Sequence, residues 1–208
     1  MSADWLVDGP DNAATTVVLA HGAGASMDTA FMNAMAAGLG EAGVRVVRFE
    51  FEYMRQARAE GKRRPPPGAA RLQTEWREVA EAVRGRYTGR LVIGGKSLGG
   101  RMASLLADEL GVAGLLVLGY PFHPPGRRDK PRVEHLADLA TPALILQGER
   151  DPFGNPDDVA GYPLPPRIEL AWLPDGDHDF RPRKRSGYTE AGNRQRAVEQ
   201  ASAFLARL

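Results

Sequence analysis

Ser97 lies in Gly95-Lys-Ser-Leu-Gly99, just behind the apolar run Leu91-Val-Ile93 and just ahead of a stretch, 98–110, with helical spacing. A serine between small residues, in a turn from strand to helix, is the G-x-S-x-G nucleophile elbow. The turn is too tight for flanking side chains, and it presents one hydroxyl at the positive end of the next helix. That hydroxyl attacks an acyl carbon only if a base takes its proton and a third group orients the base. Four histidines are available. His21 belongs to a glycine loop ahead of the elbow, His123 lies among prolines, and His135 lies in a charged, helix-like segment. His178 alone stands in turn chemistry, Asp175-Gly-Asp-His-Asp179, after the last strand-like segment. Asp151, just past the apolar run Ala143-Leu-Ile-Leu146, is the carboxylate best placed to orient it. Ser97, Asp151 and His178 stand in the Ser…Asp…His order that accompanies this elbow. The chemistry they suit is acyl transfer through a covalent acyl-enzyme.

Plainer roles exist for each residue. G-x-S-x-G arises readily in a chain with 24 glycines, so Ser97 could be a turn serine. Asp151 could cap a helix over 155–159, and His178 could be a surface-loop histidine. His21 reads as a backbone-bonded support of its glycine loop. Lys96 could shape a pocket or pair with Glu50 or Glu52, and Arg101 reads as a structural ion-pair partner. Tyr120 and Phe122 could line an acyl or alcohol pocket or simply pack. The dispersed histidines show no metal-ligand spacing, so neither metal nor cofactor is expected.

The elements that must carry these residues alternate. Segment 15–20 is β-branched and apolar, as in a strand buried on both faces. Asp28 is an expected N-cap for a helix with Phe31, Met32, Met35, Ala36 and Leu39 on one face. A strand over 44–49 follows, then a basic, proline-rich stretch, 55–68, expected as an exposed loop. The next helix carries Leu72, Trp76, Val79, Ala80 and Val83. After the elbow come strands over 112–118 and 143–147, with a short helical piece near 133–139 between them. A more alternating strand over 167–172 suits a sheet edge. A last helix from Thr189 buries Ala197, Val198, Ala201, Phe204, Leu205 and Leu208. Buried strands alternating with amphipathic helices predict one α/β domain over 1–208, a mostly parallel sheet covered on both faces. Ligands of such sheets bind at the carboxyl ends of the strands, where every polar cluster above falls.

Bulk properties narrow the classes. The 208 residues suffice for one core, and 43% hydrophobic with 25% charged content is ordinary for a globular protein. A formal net charge of +1 gives no global field toward nucleic acid or anionic membrane, and the basic stretch lacks stacking aromatics. The chain has no cysteine, which removes disulfides, thiolate metal sites and cysteine nucleophiles. The opening Met1-Ser-Ala-Asp-Trp5 lacks the parts of a signal peptide, and the longest apolar run is far too short for a bilayer. The expectation is a cytoplasmic protein acting on a small-molecule acyl substrate, with no nucleic-acid or membrane partner.

The elbow Gly95–Arg101, the loop His21-Gly-Ala-Gly-Ala25, the strand end Gln147-Gly-Glu-Arg-Asp151 and Asp177-His178 together resemble the α/β-hydrolase superfamily. The resemblance runs from about residue 15 onward. More narrowly the chain is similar to the compact, lid-poor branch called dienelactone-hydrolase-like, which is related to the hydrolase-like domain of a chromatin-complex subunit. It implies Ser97 as nucleophile, His178 as base, Asp151 as orienting acid, and an oxyanion hole from the backbone N–H groups of Ala23 and Leu98. Gly24, Tyr120 and Phe122 are candidate substrate-pocket residues. True dienelactone hydrolases use cysteine, so their substrate is not implied here. The short 119–136 stretch, where larger relatives insert a lid, implies a shallow cleft and small or extended substrates. The leading expectation is a carboxylesterase-like serine hydrolase; the alternative is a non-catalytic scaffold or binding module that retains the fold.

Overall fold

The computed structural model describes residues 5–208, so most of the Met1–Trp5 reading lies outside the described residues. Seven strands form one sheet: β1 (Leu6–Asp8), β2 (Thr15–Ala20), β3 (Arg45–Phe49), β4 (Arg90–Lys96), β5 (Gly114–Leu118), β6 (Ala143–Gly148) and β7 (Ile168–Leu173), ordered β1-β3-β2-β4-β5-β6-β7. Only β1 is antiparallel, pairing with β3. The pleat divides the core in two. Val17, Leu19, Val46, Val92, Leu116 and Leu144 face one side; Val18, Val47, Ile93, Leu115, Val117 and Ile145 face the other. On the first side pack α1 (Ala30–Glu41) and α6 (Glu190–Arg207). On the second pack α2 (Glu52–Glu60), α3 (Ala69–Arg86) and α4 (Leu98–Ser104), with Trp76 of α3 fully buried edge-on to Phe49. Fully burying one such side chain contributes roughly 1.5–3 kcal/mol.

The chain runs from β2 outward to β3, then crosses back to β4 on the other side of β2. The crevice between the carboxyl ends of β2 and β4 is therefore the topological switch point of the sheet, where open α/β folds bind ligands. The loop 21–25 and Ser97 sit at those two ends.

Several expected details differ. Thr29, not Asp28, caps α1: its Oγ1 accepts the Met32 N–H at 3.2 Å, while Asp28 is held by the Ser26 hydroxyl. The first half of the 55–68 stretch is not a loop but the C-terminal part of α2. The elbow helix is shorter than 98–110, because Ser104 Oγ donates to the Arg101 carbonyl and competes with the next helical hydrogen bond. Asn155 and Asp158 form a reciprocal capping box on α5 (Pro156–Val159), which leaves Asp151 free of that duty. Between β5 and β6 only one turn of 3-10 helix (Glu134–Leu136) intervenes, so no lid domain covers the strand ends there.

Candidate active site

Ser97 has φ 50°, ψ −111°, a left-handed conformation that costs a non-glycine residue on the order of 1–3 kcal/mol. The elbow holds it there by close backbone packing. A Cβ on Gly95 (φ 148°) would sit 2.3 Å from the Ala20 carbonyl oxygen, and one on Gly99 would sit 2.5 Å from the same atom. The Ser97 N–H donates to the Leu118 carbonyl at 3.2 Å, tying the elbow to the end of β5. A side chain at Gly22 would start 3.8 Å from Ser97 Cβ, so the β2 loop runs directly beside the serine. Among the described residues, the N–H groups of Ala23 and Leu98 have no protein acceptor.

That loop is braced from below. Buried His21 accepts the Phe51 N–H on Nε2 at 3.2 Å and bonds the Gly22 carbonyl through Nδ1 at 2.7 Å. Burial lowers its pKa, so it is a neutral strut, as its sequence context implied. The Tyr53 hydroxyl donates to the Ala23 carbonyl at 2.9 Å, and burial pushes its pKa up to about 12.

Asp151 is fully buried at the end of β6. Its Oδ2 accepts from His178 Nδ1 at 2.7 Å and from Gln147 Nε2 at 2.9 Å, while Oδ1 accepts the Phe153 N–H at 2.9 Å. The imidazole packs on Phe153, centroids 4.4 Å apart, and lies over Gly119, where a Cβ would come within 3.2 Å of the ring. Gly119 follows Leu118, the residue bonded to Ser97, so Ser97 and His178 are neighbours across one strand end. No hydrogen bond joins Ser97 Oγ to His178 in the described residues; in unliganded enzymes such contacts tighten on substrate binding.

The loop bearing His178 is fixed from four sides. Asn193 of α6 donates to the carbonyls of Pro174 and Phe180, both at 2.9 Å. Phe180 (φ 64°) is fully buried edge-on to Phe31. Gly148 lets the loop approach, since a Cβ there would lie 2.3 Å from the Asp177 oxygen. The fourth support is Lys96, beside Ser97. Its Nζ donates to the His178 carbonyl at 2.5 Å and lies 3.4 Å from Asp179, so of the two roles left open for it, pairing with Glu50 or Glu52 is not the one formed. Burial pulls its pKa down to about 8, with the nearby carboxylates of Asp179, Asp151 and Asp177 opposing.

Other expectations resolve differently. Gly24 borders a cavity. Tyr120 and Phe122, also candidates for the substrate pocket, are fully buried; they pack on each other, and Phe122 stacks on Tyr162. Arg101 makes no ion pair among the described residues, and its Nε is buried without a partner. His123 pairs with Asp158 and His135 with Ser104, and neither bonds Ser97 or Asp151. The supporting roles of Gln147, read above only as part of its strand end, and of Asn193 are not among the sequence expectations; a lone amide ending an apolar strand, and another on the apolar face of a helix, are the available signals. No group of three or more metal-ligating side chains occurs among the described residues.

The family model described as "Alpha/beta hydrolase domain" matches residues 13–206. The chain belongs to the α/β-hydrolase family. Among solved structures, this α/β-hydrolase is similar to an alpha-beta serine hydrolase homologue from Coxiella burnetii (TM-score 0.71, 18% identity, covering 98% of this chain and 90% of that one). It is also similar to a Xanthomonas campestris serine hydrolase described as without lid (TM-score 0.66, 24% identity, 95% and 88% covered). A dienelactone hydrolase from Anabaena variabilis gives TM-score 0.72 at 19% identity, 98% and 90% covered. At these identities the likeness is one of fold. A comparison with curated proteins found no match. Among the described residues, no helix is long and apolar enough to cross a membrane.

Proposed function

We propose that the protein is a serine hydrolase that cleaves a carboxylic ester or related acyl bond of a small molecule through an acyl-enzyme. Ser97 Oγ attacks the carbonyl carbon and passes its proton to His178 Nε2. The N–H groups of Ala23 and Leu98 receive the oxyanion, and losing one such donor costs on the order of 3 kcal/mol of barrier. His178 then protonates the leaving alcohol, and water repeats the sequence on the acyl-enzyme to release the acid. Asp151 holds the imidazole with Nδ1 protonated and stabilises the imidazolium; Gln147 and the Phe153 N–H fix the carboxylate in turn.

The observation that carries this reading is the 2.7 Å hydrogen bond from partly exposed His178 to fully buried Asp151, beside a serine held at φ 50° on the neighbouring strand ends. A scaffold that merely retained the fold would have no use for a fully buried carboxylate that orients a partly exposed imidazole beside a serine. The test is labelling by a fluorophosphonate probe together with hydrolysis of a short p-nitrophenyl ester. Wild type is expected to label and turn over; Ser97→Ala is expected to lose the label and at least about 10⁴-fold in kcat. Equal hydrolysis by the two proteins would remove Ser97 from the mechanism, and absence of both label and turnover in folded wild type would remove the enzyme reading.

A further inference from the structure

A cavity of about 430 Å³ opens beside Gly24, the residue next to Ala23, and is bounded by Met54 and Ala57 of α2 and by the cationic side chains of Arg58, Lys62 and Arg63. Nothing lies within 4 Å of a Cβ placed on Gly24, so the loop that passes Ser97 at Gly22 faces this cavity at Gly24 without a side chain of its own. Its floor is apolar and its rim is positive. Arg58 is already engaged by the buried Glu50, at 2.9 Å. Lys62 and Arg63 make no ion pair among the described residues, although Arg64 beside them pairs with Glu60.

These two cations stand on a built segment. Gly61 leaves α2 in the left-handed conformation (φ 63°), with its N–H on the Arg58 carbonyl and the Lys62 N–H on the Ala57 carbonyl. That double bond pattern is the Schellman closure, which fixes the chain direction one residue past the helix. Pro65-Pro-Pro67 then stiffens the path to α3. A basic stretch serving only solubility needs neither an apolar floor nor a junction with the catalytic loop.

We propose that this cavity is a substrate subsite for an anionic group, so that the preferred ester carries a carboxylate or similar anion a short apolar spacer away from the scissile bond. The proposal rests on the serine-hydrolase reading and adds its substrate class. The methylenes of the spacer lie on Met54 and Ala57, and the anion meets Lys62 and Arg63. An exposed ion pair gives only modest discrimination, about fivefold each, and weakens with salt.

Two matched ester pairs test it. On the acyl side, the mono-4-methylumbelliferyl ester of glutaric acid is compared with 4-methylumbelliferyl valerate. On the alcohol side, 4-(carboxymethyl)phenyl butyrate is compared with 4-methylphenyl butyrate. The expected result is a preference in kcat/KM of about fivefold or more for the anionic member of one pair at low salt. That ratio is expected to collapse in the Lys62→Ser/Arg63→Ser double variant and in Gly24→Leu, whose side chain fills the mouth of the cavity. Arg90→Ser, at the opposite end of β4, is the control for a general field and is expected to leave the ratio in place. Neutral esters equal to or better than the anionic ones in both pairs, or a ratio lowered as much by Arg90→Ser as by the double variant, would overturn the subsite. Failure of the enzyme reading is a separate outcome, since it gives no label and no turnover of any ester. In that case polarisation of mono-4-methylumbelliferyl glutarate bound to Ser97→Ala decides. Saturable, salt-sensitive binding weakened by the double variant supports the subsite, and absence of binding overturns it.

Discussion

Lys96 is the residue whose chemistry reaches furthest beyond its own position. It occupies the place next to the serine, where its backbone belongs to β4 and the elbow, yet its ammonium holds the carbonyl of His178. Ser97 and His178, the nucleophile and base of the proposed mechanism, therefore share one support. Lys96→Met removes that support while leaving the serine, imidazole and carboxylate in the chain. kcat toward a short ester is expected to fall about tenfold with little change in KM, since a misplacement of the base acts on the transition state more than on binding. An unchanged kcat would dismiss the support role. A pH measurement separates the ammonium from the packing. Lys96 has a folded pKa of about 8 against an ordinary 10.5, so between those values the unfolded chain binds more protons than the folded one. Burial of the charged form costs stability fully below pH 8, and that cost is relieved as pH rises toward 10.5. The melting temperature of wild type relative to Lys96→Met is expected to rise with pH across this window.

At the scale of elements, the 174–180 loop is the part most dependent on its neighbours. It is held by a side chain of α6, a glycine at the end of β6 and an aromatic buried against α1. Asn193→Ala leaves the Pro174 and Phe180 carbonyls without their donor, and is expected to lower unfolding free energy by about 2–3 kcal/mol in a denaturant titration, with a fall in kcat alongside. Gly148→Ala places a methyl against the Asp177 oxygen. It is expected to fold with reduced stability and to lose more kcat than a mutation equally destabilising but remote from the loop. None of this loop packing was legible in the sequence, because Asn193 and Gly148 act across gaps of 13 to 29 residues and carry no local pattern. The major strands and α1, α3 and α6 were legible, since each buries a face with the period its geometry demands. β1 escaped because three half-exposed residues have no measurable period. α2 escaped because nine residues rich in Arg, Glu and Gln looked like the basic loop that follows them. Its helical spacing survives in the Glu52–Arg55 pair, three residues apart, which could have marked it. The site was legible to the extent that its residues end strands. Tyr120 and Phe122 also follow a strand end, yet they turn back into the core.

At the scale of the molecule, the two halves of the core answer differently to acid. His135 lies against Ser104 and Tyr120 on the α4 side, where burial and the nearby Arg101 charge lower its pKa to about 4. Between pH 6.5 and 4 the unfolded chain takes up a proton that the folded chain refuses, so stability falls as pH falls through that interval, and the loss is complete below about 4. His135→Gln is expected to flatten the acid side of a melting-temperature profile by a few degrees, leaving the neutral plateau largely in place. Variants at Lys96 are expected to move only the alkaline side. The order of the elements in the chain has one more consequence. Ser97, Asp151 and His178 all precede α6, yet the position of His178 depends on Asn193 within it. The last of the three residues is therefore positioned only once the helix that follows it in the chain has been made. On the proposed mechanism, a nascent chain is expected to stay silent toward esters until α6 docks on α1.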